Sequence, residues 1–287
     1  MKLRETQTLS NGVEIPVLGL GTWLLDDEQA ADAVVAALAA GYRHIDTAQA
    51  YGNEAGVGEG LRRSGIARED VFVTTKVAAE HKDYASAAAS IERSREAVGL
   101  EYLDLVIIHS PQPWAAVNQS DDRFYEGNRE AWRALEDAYE VGTVRAIGVS
   151  NFQIGDVENL LDQGRVAPMV NQVLCHVGNT PAELIAWCKE RGIAMEAYSP
   201  VAHGAVLGNE AVAAIAARYG VSTAQLCIRY CLQLGLIALP KTANPAHMVD
   251  NAAVDFEIAD EDMAVLAGMK VTDYGDANAF PVFGGKL

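Results

Sequence analysis

The chain has 287 residues, half of them hydrophobic, and its 39 acidic residues against 22 basic ones give a formal net charge of −17. This apolar content supports a large core and excludes a disordered chain. A surface this acidic repels phosphate backbones and anionic lipids, so we expect neither a nucleic-acid partner nor a membrane partner.

The sequence gives no indication of a targeting segment, of a redox-active cysteine pair or of a metal site. No stretch approaches the roughly 20 apolar residues of a membrane-spanning helix, and the charged first residues lack the apolar run of a secretory signal. The four cysteines are Cys175, Cys188, Cys227 and Cys231. Because no Cys-x-x-Cys pair occurs, we expect them to be ordinary buried thiols. We therefore expect a cytoplasmic protein with no bound metal.

The predicted elements begin with a hairpin and continue as a regular alternation. Residues 9–16 carry Asn11-Gly12 between short apolar stretches, a strong indication of a β-hairpin. Apolar segments of strand length follow at residues 17–21, 44–46, 71–76, 103–109, 144–150, 169–173, 194–198 and 237–240. Helical stretches rich in Ala, Leu, Glu and Arg lie between them, for example at residues 28–39, 86–98, 129–139 and 181–191.

Eight strands alternating with helices predict an α/β fold, a (β/α)8 TIM barrel, forming a single domain over residues 1–287. A doubly wound sheet is the competing architecture, and it normally places Gly-x-Gly-x-x-Gly after its first strand. Here Gly19 and Gly21 are not followed by the third glycine, and the glycine-rich run at 52–60 does not match either. The barrel is therefore favoured.

Four polar residues fall at the carboxyl ends of predicted strands. Asp46 and Tyr51 follow the second strand, while Lys76 ends the third and His109 ends the fourth. Each alone has an ordinary structural explanation, such as a helix cap or a solvated lysine. Barrel enzymes place their working groups at this face, so a carboxylate, a phenol, an ammonium and an imidazole are expected in one cleft. The chemistry of these four groups is complementary.

These residues stand in motifs that resemble those of the aldo-keto reductases, in particular the bacterial diketogluconate-reductase-like and prostaglandin-synthase-like branch. The matching segments are GYRHIDTAQAYGNE at 41–54, VTTK at 73–76, LVIIH at 105–109, GVSNF at 148–152, NQ at 171–172, AYSP at 197–200 and LPKT at 239–242. They cover nearly the whole chain. The resemblance implies reduction of a small aldehyde, ketone or dicarbonyl to an alcohol, with hydride from a nicotinamide cofactor.

The resemblance also implies a role for each of the four polar residues. Tyr51 is the general acid of the reduction and the base of the reverse oxidation. Lys76, paired with Asp46, is expected to favour the phenolate and so to lower the pKa of Tyr51. His109 is expected to hydrogen-bond the substrate carbonyl and orient it.

For the cofactor, the resemblance implies NADPH, with NADH also possible, in an extended form at the barrel mouth. The implied contacts are Thr22, Ser150, Asn151, Gln172, Tyr198, Ser199, Val201, Lys241, Thr242, His247, Asp250 and Asn251. Tyr198 is expected to stack on the nicotinamide ring, and Lys241 and Thr242 are expected to bind the 2′-phosphate of NADPH. Relatives usually carry Arg where this chain has His247. A narrower preference for NADPH over NADH follows, because imidazole is largely neutral at pH 7.

Trp23, His109 and Trp114 are expected to line the substrate pocket, and residues 274–287 are expected to form a lip over it. Ser-Pro-Gln-Pro-Trp follows His109, whereas many relatives have Trp-Pro there, so the motif does not fix the substrate. Of the other histidines, His203 is interpreted as a solvated loop residue.

Two other functions stay open beside the reductase. The first is a cofactor-binding regulatory or redox-sensing barrel with little turnover. The second is an isomerase or aldolase acting on a phosphorylated substrate, for which the residues at 239–242 are a poor phosphate loop. A monomer or a weak homodimer is expected.

Overall fold

The computed structural model describes residues 2–283, which begin with a short β-hairpin. Strands β1 (Thr6–Thr8) and β2 (Glu14–Pro16) pair antiparallel. The predicted segment 9–16 therefore covered the turn and the second strand but not the first. The strand at 6–8 was missed because its threonines show no apolar alternation. Both Thr6 and Thr8 donate hydrogen bonds to Glu14 across the pair.

Eight parallel strands follow the hairpin and close into a barrel. They are β3 (Leu20–Gly21), β4 (His44–Asp46), β5 (Phe72–Val77), β6 (Leu103–Ile108), β7 (Val144–Ser150), β8 (Val170–Leu174), β9 (Ala194–Tyr198) and β10 (Ile237–Leu239). Each strand pairs with the next from β3 to β10. The first and last strands meet through parallel bridges, Leu18 with Ala238 and Gly21 with Lys241. The predicted (β/α)8 TIM barrel is thus confirmed.

The helices lie outside this barrel. They are α1 (Asp27–Ala39), α2 (Glu54–Ser64), α3 (Tyr84–Val98), α4 (Tyr125–Glu140), α5 (Ile154–Leu161), α6 (Ala182–Glu190), α7 (Glu210–Arg218), α8 (Thr223–Gln233), α9 (Pro245–Ala252) and α10 (Asp260–Gly268). Local chemistry sets several boundaries. Asp26 and Ser222 cap α1 and α8 as capping boxes, and Gly99 ends α3 in a left-handed conformation.

The glycine-rich run at 52–60 is explained by helix packing. A Cβ at Gly56 would lie 2.2 Å from the Asp27 carbonyl oxygen, and one at Gly58 would lie 2.1 Å from the Val98 carbonyl oxygen. These residues let α2 approach its neighbours closely. The run therefore serves the backbone contacts of a helix and not a phosphate loop.

Every residue of β5 and β6 is buried, as expected for strands covered on both faces. The interior also holds polar side chains, among them Asp46, Lys76, Gln172 and Glu196. A buried polar group is costly unless it is hydrogen-bonded. The contacts of these side chains therefore define the candidate site.

In the part of the chain that the structure describes, no single helix is long and apolar enough to cross a membrane. Helices α7 and α8 meet that criterion only as a pair bent by 79°. The four cysteines are buried free thiols, as predicted. Among residues 2–283, no group of three or more His, Cys, Asp or Glu side chains is placed to hold a metal ion.

Candidate active site

A cavity of about 500 Å³ opens at the carboxyl ends of the barrel strands, within the size range of small-molecule sites. It is lined by three of the four predicted catalytic residues, Asp46, Tyr51 and His109. It is also lined by seven predicted cofactor contacts, which are Ser150, Asn151, Gln172, Tyr198, Ser199, Val201 and Lys241. The predicted substrate residues Trp23 and Trp114 also line the cavity, and with Phe280 they form its aromatic wall.

Lys76 lies beneath the cavity in a buried ion pair with Asp46. Strands β4 and β5 run in register, which brings the two side chains together. Lys76 Nζ donates to Asp46 Oδ1 at 2.6 Å and to the Thr47 carbonyl oxygen at 2.7 Å. Only 1% of the lysine side chain is exposed. An ammonium this deeply buried depends on its carboxylate, because removing one partner of a buried ion pair leaves the other charge uncompensated.

Tyr51 lies on a turn of 3-10 helix (Gln49–Tyr51) directly after β4. Its ring centroid is 5.0 Å from Lys76 Nζ and 5.6 Å from the His109 ring centroid. Asn53 holds this turn by accepting from Thr47 Oγ1 and donating to the Thr22 carbonyl oxygen. The structure therefore brings the four predicted catalytic residues together.

The pKa of Tyr51 is raised well above its ordinary value, first by burial and then by the negative charge of Asp46. The predicted lowering by Lys76 is therefore wrong for the protein without a ligand. The reason is that burial, the larger cause, disfavours the charged phenolate, and the negative charge of Asp46 disfavours it further. Tyr51 is a protonated phenol across the neutral pH range.

His109 is held neutral, since burial and the nearby Lys76 charge both place the pKa of its imidazole well below the ordinary value. Its Nδ1 has no hydrogen-bond partner among residues 2–283. The ring packs edge-on against Trp114, with centroids 5.0 Å apart. A neutral imidazole carries one N–H, so this side chain can donate to an uncharged oxygen in the cavity.

A second wall of the cavity is built around Asn151 and Tyr198. Asn151 Nδ2 donates to the His109 carbonyl oxygen at 3.1 Å, and its Oδ1 accepts from the Tyr198 hydroxyl at 2.8 Å. These bonds fix the Tyr198 ring beside the predicted catalytic residues. Asn151 and Ser199 adopt left-handed backbone conformations, with φ of 63° and 51°. Such positions are uncommon outside glycine and concentrate at functional sites.

The Gln172 amide is oriented by two buried carboxyl groups. Its Nε2 donates to Asp46 Oδ2 and to Glu196 Oε2, each at 2.8 Å. Both amide hydrogens are therefore used, and Oε1 is the atom left for a bound molecule. Gln172 was predicted from its motif but Glu196 was not, because no motif marks a carboxyl group that lies below the cavity floor.

Five predicted cofactor contacts do not line the cavity. Thr22 is fully buried and donates to the Asp46 carbonyl oxygen at 3.0 Å. Thr242 accepts from the Asn244 backbone N–H, just before α9. The others are His247, Asp250 and Asn251, all on α9. They lie past Lys241, where the cavity wall ends, so their contacts with a cofactor stay predictions.

His203 was interpreted as a solvated loop residue, which agrees with its exposure but does not include its aromatic contacts. The side chain is exposed, but it lines the cavity and its ring lies 5.5 Å from that of Trp23 and 5.9 Å from that of Phe283. These partners come from distant parts of the chain. The spacing of these residues in the sequence therefore could not predict the contacts of His203 with Trp23 and Phe283.

The predicted lip is present over its described part. Phe280 packs edge-on against Trp23, with centroids 4.8 Å apart, and Asn118 Nδ2 donates to the Pro281 carbonyl oxygen at 2.9 Å. Tyr274 anchors the segment from below through a 3.1 Å hydrogen bond with His176 Nε2. The remaining predicted lip residues, 284–287, lie outside the described residues.

A TIM barrel with a buried lysine–carboxylate pair, a tyrosine and a histidine at one cavity defines a class of barrel oxidoreductases. Residues 17–270 match the model of the Aldo/keto reductase family. The chain is 43% identical over 263 residues to the glyoxal reductase of Bacillus subtilis, covering 91% of each chain. It is 42% identical over 261 residues to the 9,11-endoperoxide prostaglandin H2 reductase of Trypanosoma cruzi, covering 89% of this chain and 88% of that one.

Among solved structures, the Bombyx mori aldo-keto reductase in complex with NADP superposes with a TM-score of 0.84 at 30% identity. The alignment covers 97% of this chain and 98% of that one. The chain belongs to the aldo/keto reductase family, as its motifs predicted. It is an oxidoreductase that acts on carbonyl and alcohol groups.

Proposed function

We propose that the protein reduces small aldehydes, ketones or dicarbonyls to alcohols with NADPH, and that Tyr51 supplies the proton. The observation that carries this proposal is the convergence of Tyr51, Lys76, Asp46 and His109 at one cavity. The name of the Bacillus subtilis relative, a glyoxal reductase, supports a small dicarbonyl among the substrates.

The residues present fit a nicotinamide dinucleotide. Gln172 Oε1 offers an acceptor for a carboxamide N–H, because both hydrogens of its Nε2 are taken by carboxyl groups. The Tyr198 ring, fixed through Asn151, offers a flat face for stacking. Lys241 places a cation at the rim, suited to a phosphate. When bound, NADPH supplies the hydride that reduces the carbonyl carbon.

The proton step is assigned to Tyr51. The phenol is protonated at neutral pH and can donate its Oη hydrogen to a carbonyl oxygen as negative charge develops there. Two of the three Lys76 hydrogens are bound by Asp46 and Thr47, which leaves one to stabilise the phenolate that remains. In the reverse direction the same phenolate accepts the proton of the alcohol.

Substrate positioning is assigned to His109 and the aromatic wall. The neutral imidazole donates to the carbonyl oxygen and so holds the carbonyl carbon toward the nicotinamide side. Trp23, Trp114 and Phe280 surround this position with apolar surface. Water is poorly accommodated there, which strengthens the hydrogen bonds to the reacting oxygen.

The proposal is tested by following NADPH absorbance with a panel of carbonyl compounds, including glyoxal, an aromatic aldehyde and a phosphorylated aldehyde. We expect steady consumption with uncharged aldehydes and dicarbonyls. Tight NADPH binding without turnover would instead support the regulatory barrel. Conversion of a phosphorylated substrate without cofactor would support the isomerase or aldolase.

Four assignments made from the sequence accompany this proposal as predictions. They are a single domain, a cytoplasmic location, a monomer or weak homodimer, and NADH as a second cofactor. Sedimentation velocity tests the oligomeric state, and cell fractionation tests the location. Titration with each cofactor measures the ratio between NADPH and NADH.

A further inference from the structure

Glu196 is a buried carboxyl group directly below the cavity. It lies on β9 two residues before Tyr198, so the two side chains share a face of the strand. Its register partner on β8 is Gln172, whose Nε2 donates to Glu196 Oε2 at 2.8 Å. Glu196 is fully buried, and within the described chain its Oε1 has no hydrogen-bond partner.

The charges facing Glu196 come from β4 and β5. Lys76 contacts Asp46 directly, whereas its charge acts on Glu196 only without contact and lowers the pKa of that carboxyl less than burial and Asp46 raise it. His44 Nε2 is 3.8 Å from Glu196 Oε1 and is already bonded to Thr74 Oγ1. Burial lowers the pKa of His44 to about 4, so this ring supplies no positive charge. Among the described residues, Glu196 is therefore in direct contact with no charged cation.

The lack of a contacting cation and the burial of Glu196 both favour its protonated form. Burial, reinforced by the negative charge of Asp46, raises its pKa to about 8. Near pH 7 the group is neutral, and its Oε2 still accepts the Gln172 hydrogen bond. Above about pH 8 a second negative charge forms next to Gln172, whose other end faces the cavity.

We propose that Glu196 is a positioning residue whose protonation state sets the relative affinity of the site for oxidised and reduced nicotinamide. The inference rests on the proposed function, since it requires the nicotinamide to lie at Gln172 and Tyr198. The oxidised ring is a cation and the reduced ring is neutral. An ionised Glu196 therefore favours the oxidised ring, whereas the protonated acid discriminates little. By linkage, binding of the oxidised form releases the Glu196 proton.

The test measures the Kd of NADP⁺ and of NADPH by fluorescence titration from pH 6 to 9.5, for the wild type and E196Q. Both forms carry the same phosphates, so phosphate titration cancels in the ratio of the two constants. For the wild type, Kd(NADP⁺)/Kd(NADPH) should fall on the order of tenfold as the pH rises through about 8. Gln mimics the neutral acid, so E196Q should keep the low-pH ratio throughout.

Glu54 provides the matched control. It is also buried, with a raised pKa, but it accepts from Thr75 Oγ1 and is not among the groups bonded to Gln172. E54Q should therefore keep the pH-dependent step. A flat ratio in the wild type, or the same step in E196Q, would overturn the assignment of Glu196.

Proton release gives a second readout that needs no variant. Near pH 7.5, NADP⁺ binding to the wild type should release about half a proton in weak buffer with an indicator dye, and NADPH should release none. Equal release with both forms would contradict the inference even if E196Q failed to fold. If neither form bound at any pH, the proposed function itself would fail. Binding of both without the pH step would overturn only the role of Glu196.

Discussion

Replacing Asp46 with Asn removes one charge from the most buried ion pair of the site without changing its shape. Asp46 Oδ1 accepts from Lys76 and Oδ2 accepts from Gln172 Nε2. In D46N one oxygen still faces the ammonium, while the new amide nitrogen faces the Gln172 nitrogen at the position of a 2.8 Å hydrogen bond. Two donors then oppose each other, and the ammonium loses its counter-charge.

The expected cost follows from this burial. Only 1% of the Lys76 side chain and 5% of the Asp46 side chain are exposed. Removing one partner of such a pair costs about 3–5 kcal/mol, and the oxygen retained by Asn places D46N near the lower end. With an unfolding slope of about 3 kcal/mol per M urea for a chain of this size, the midpoint should fall by about 1 M.

The assay is urea unfolding at pH 7, followed by tryptophan fluorescence and by circular dichroism. E59Q is the control, because the Glu59–Arg62 pair is exposed and should contribute less than about 1 kcal/mol. D46N should also bind NADPH more weakly, since Gln172 loses the bond that orients its amide. A D46N midpoint equal to that of E59Q would refute the claim that the buried ammonium depends on this carboxylate.

Three further predictions concern the cofactor, the lip and pH-dependent stability. H247R should lower the Kd of NADPH about three- to tenfold and leave that of NADH unchanged, because a guanidinium grips phosphate as a charged fork; an equal effect on both cofactors would contradict this. F280A removes the ring packed on Trp23 and should raise KM up to about tenfold while changing kcat less than about twofold, as steady-state kinetics would show. Neutral Glu196 contributes stability that is fully present below its unfolded pKa near 4.5 and is lost as the pH rises through about 8. E196Q should therefore match the wild type in urea at pH 5 and be more stable at pH 9 by up to a few kcal/mol; the same difference at both pH values would argue against an acid of raised pKa.

The strands were predictable where an apolar run ends at a polar residue. Strands β4, β7 and β9 have the bounds expected from the sequence, since each ends at the residue that enters the cavity. β3 is shorter than expected, because barrel closure uses single bridges at Leu18 and Gly21 rather than a continuous ladder. The hairpin strand at 6–8 was missed, because its sequence, Thr-Gln-Thr, has no apolar residue.

The residues of the site that lie in family motifs could be predicted from the sequence. The four predicted catalytic residues were assigned from strand ends and family motifs, and they converge at one cavity. The pKa direction of Tyr51 was not predictable, because it depends on burial and on how closely Asp46 holds the ammonium. The contact of His203 with the lip and the bond between Gln172 and Glu196 join distant segments. No local pattern encodes such packing.

In the proposed function, Tyr51 delivers the proton in a reduction carried out in this cavity. The most direct measurement is a single turnover, in which enzyme loaded with NADPH is mixed with saturating aldehyde and loss of the reduced cofactor is followed by stopped flow. Y51F should bind NADPH with an unchanged Kd and react about 10²- to 10⁴-fold more slowly than the wild type. A Y51F rate within a factor of three of the wild-type rate would show that Tyr51 is not the proton donor.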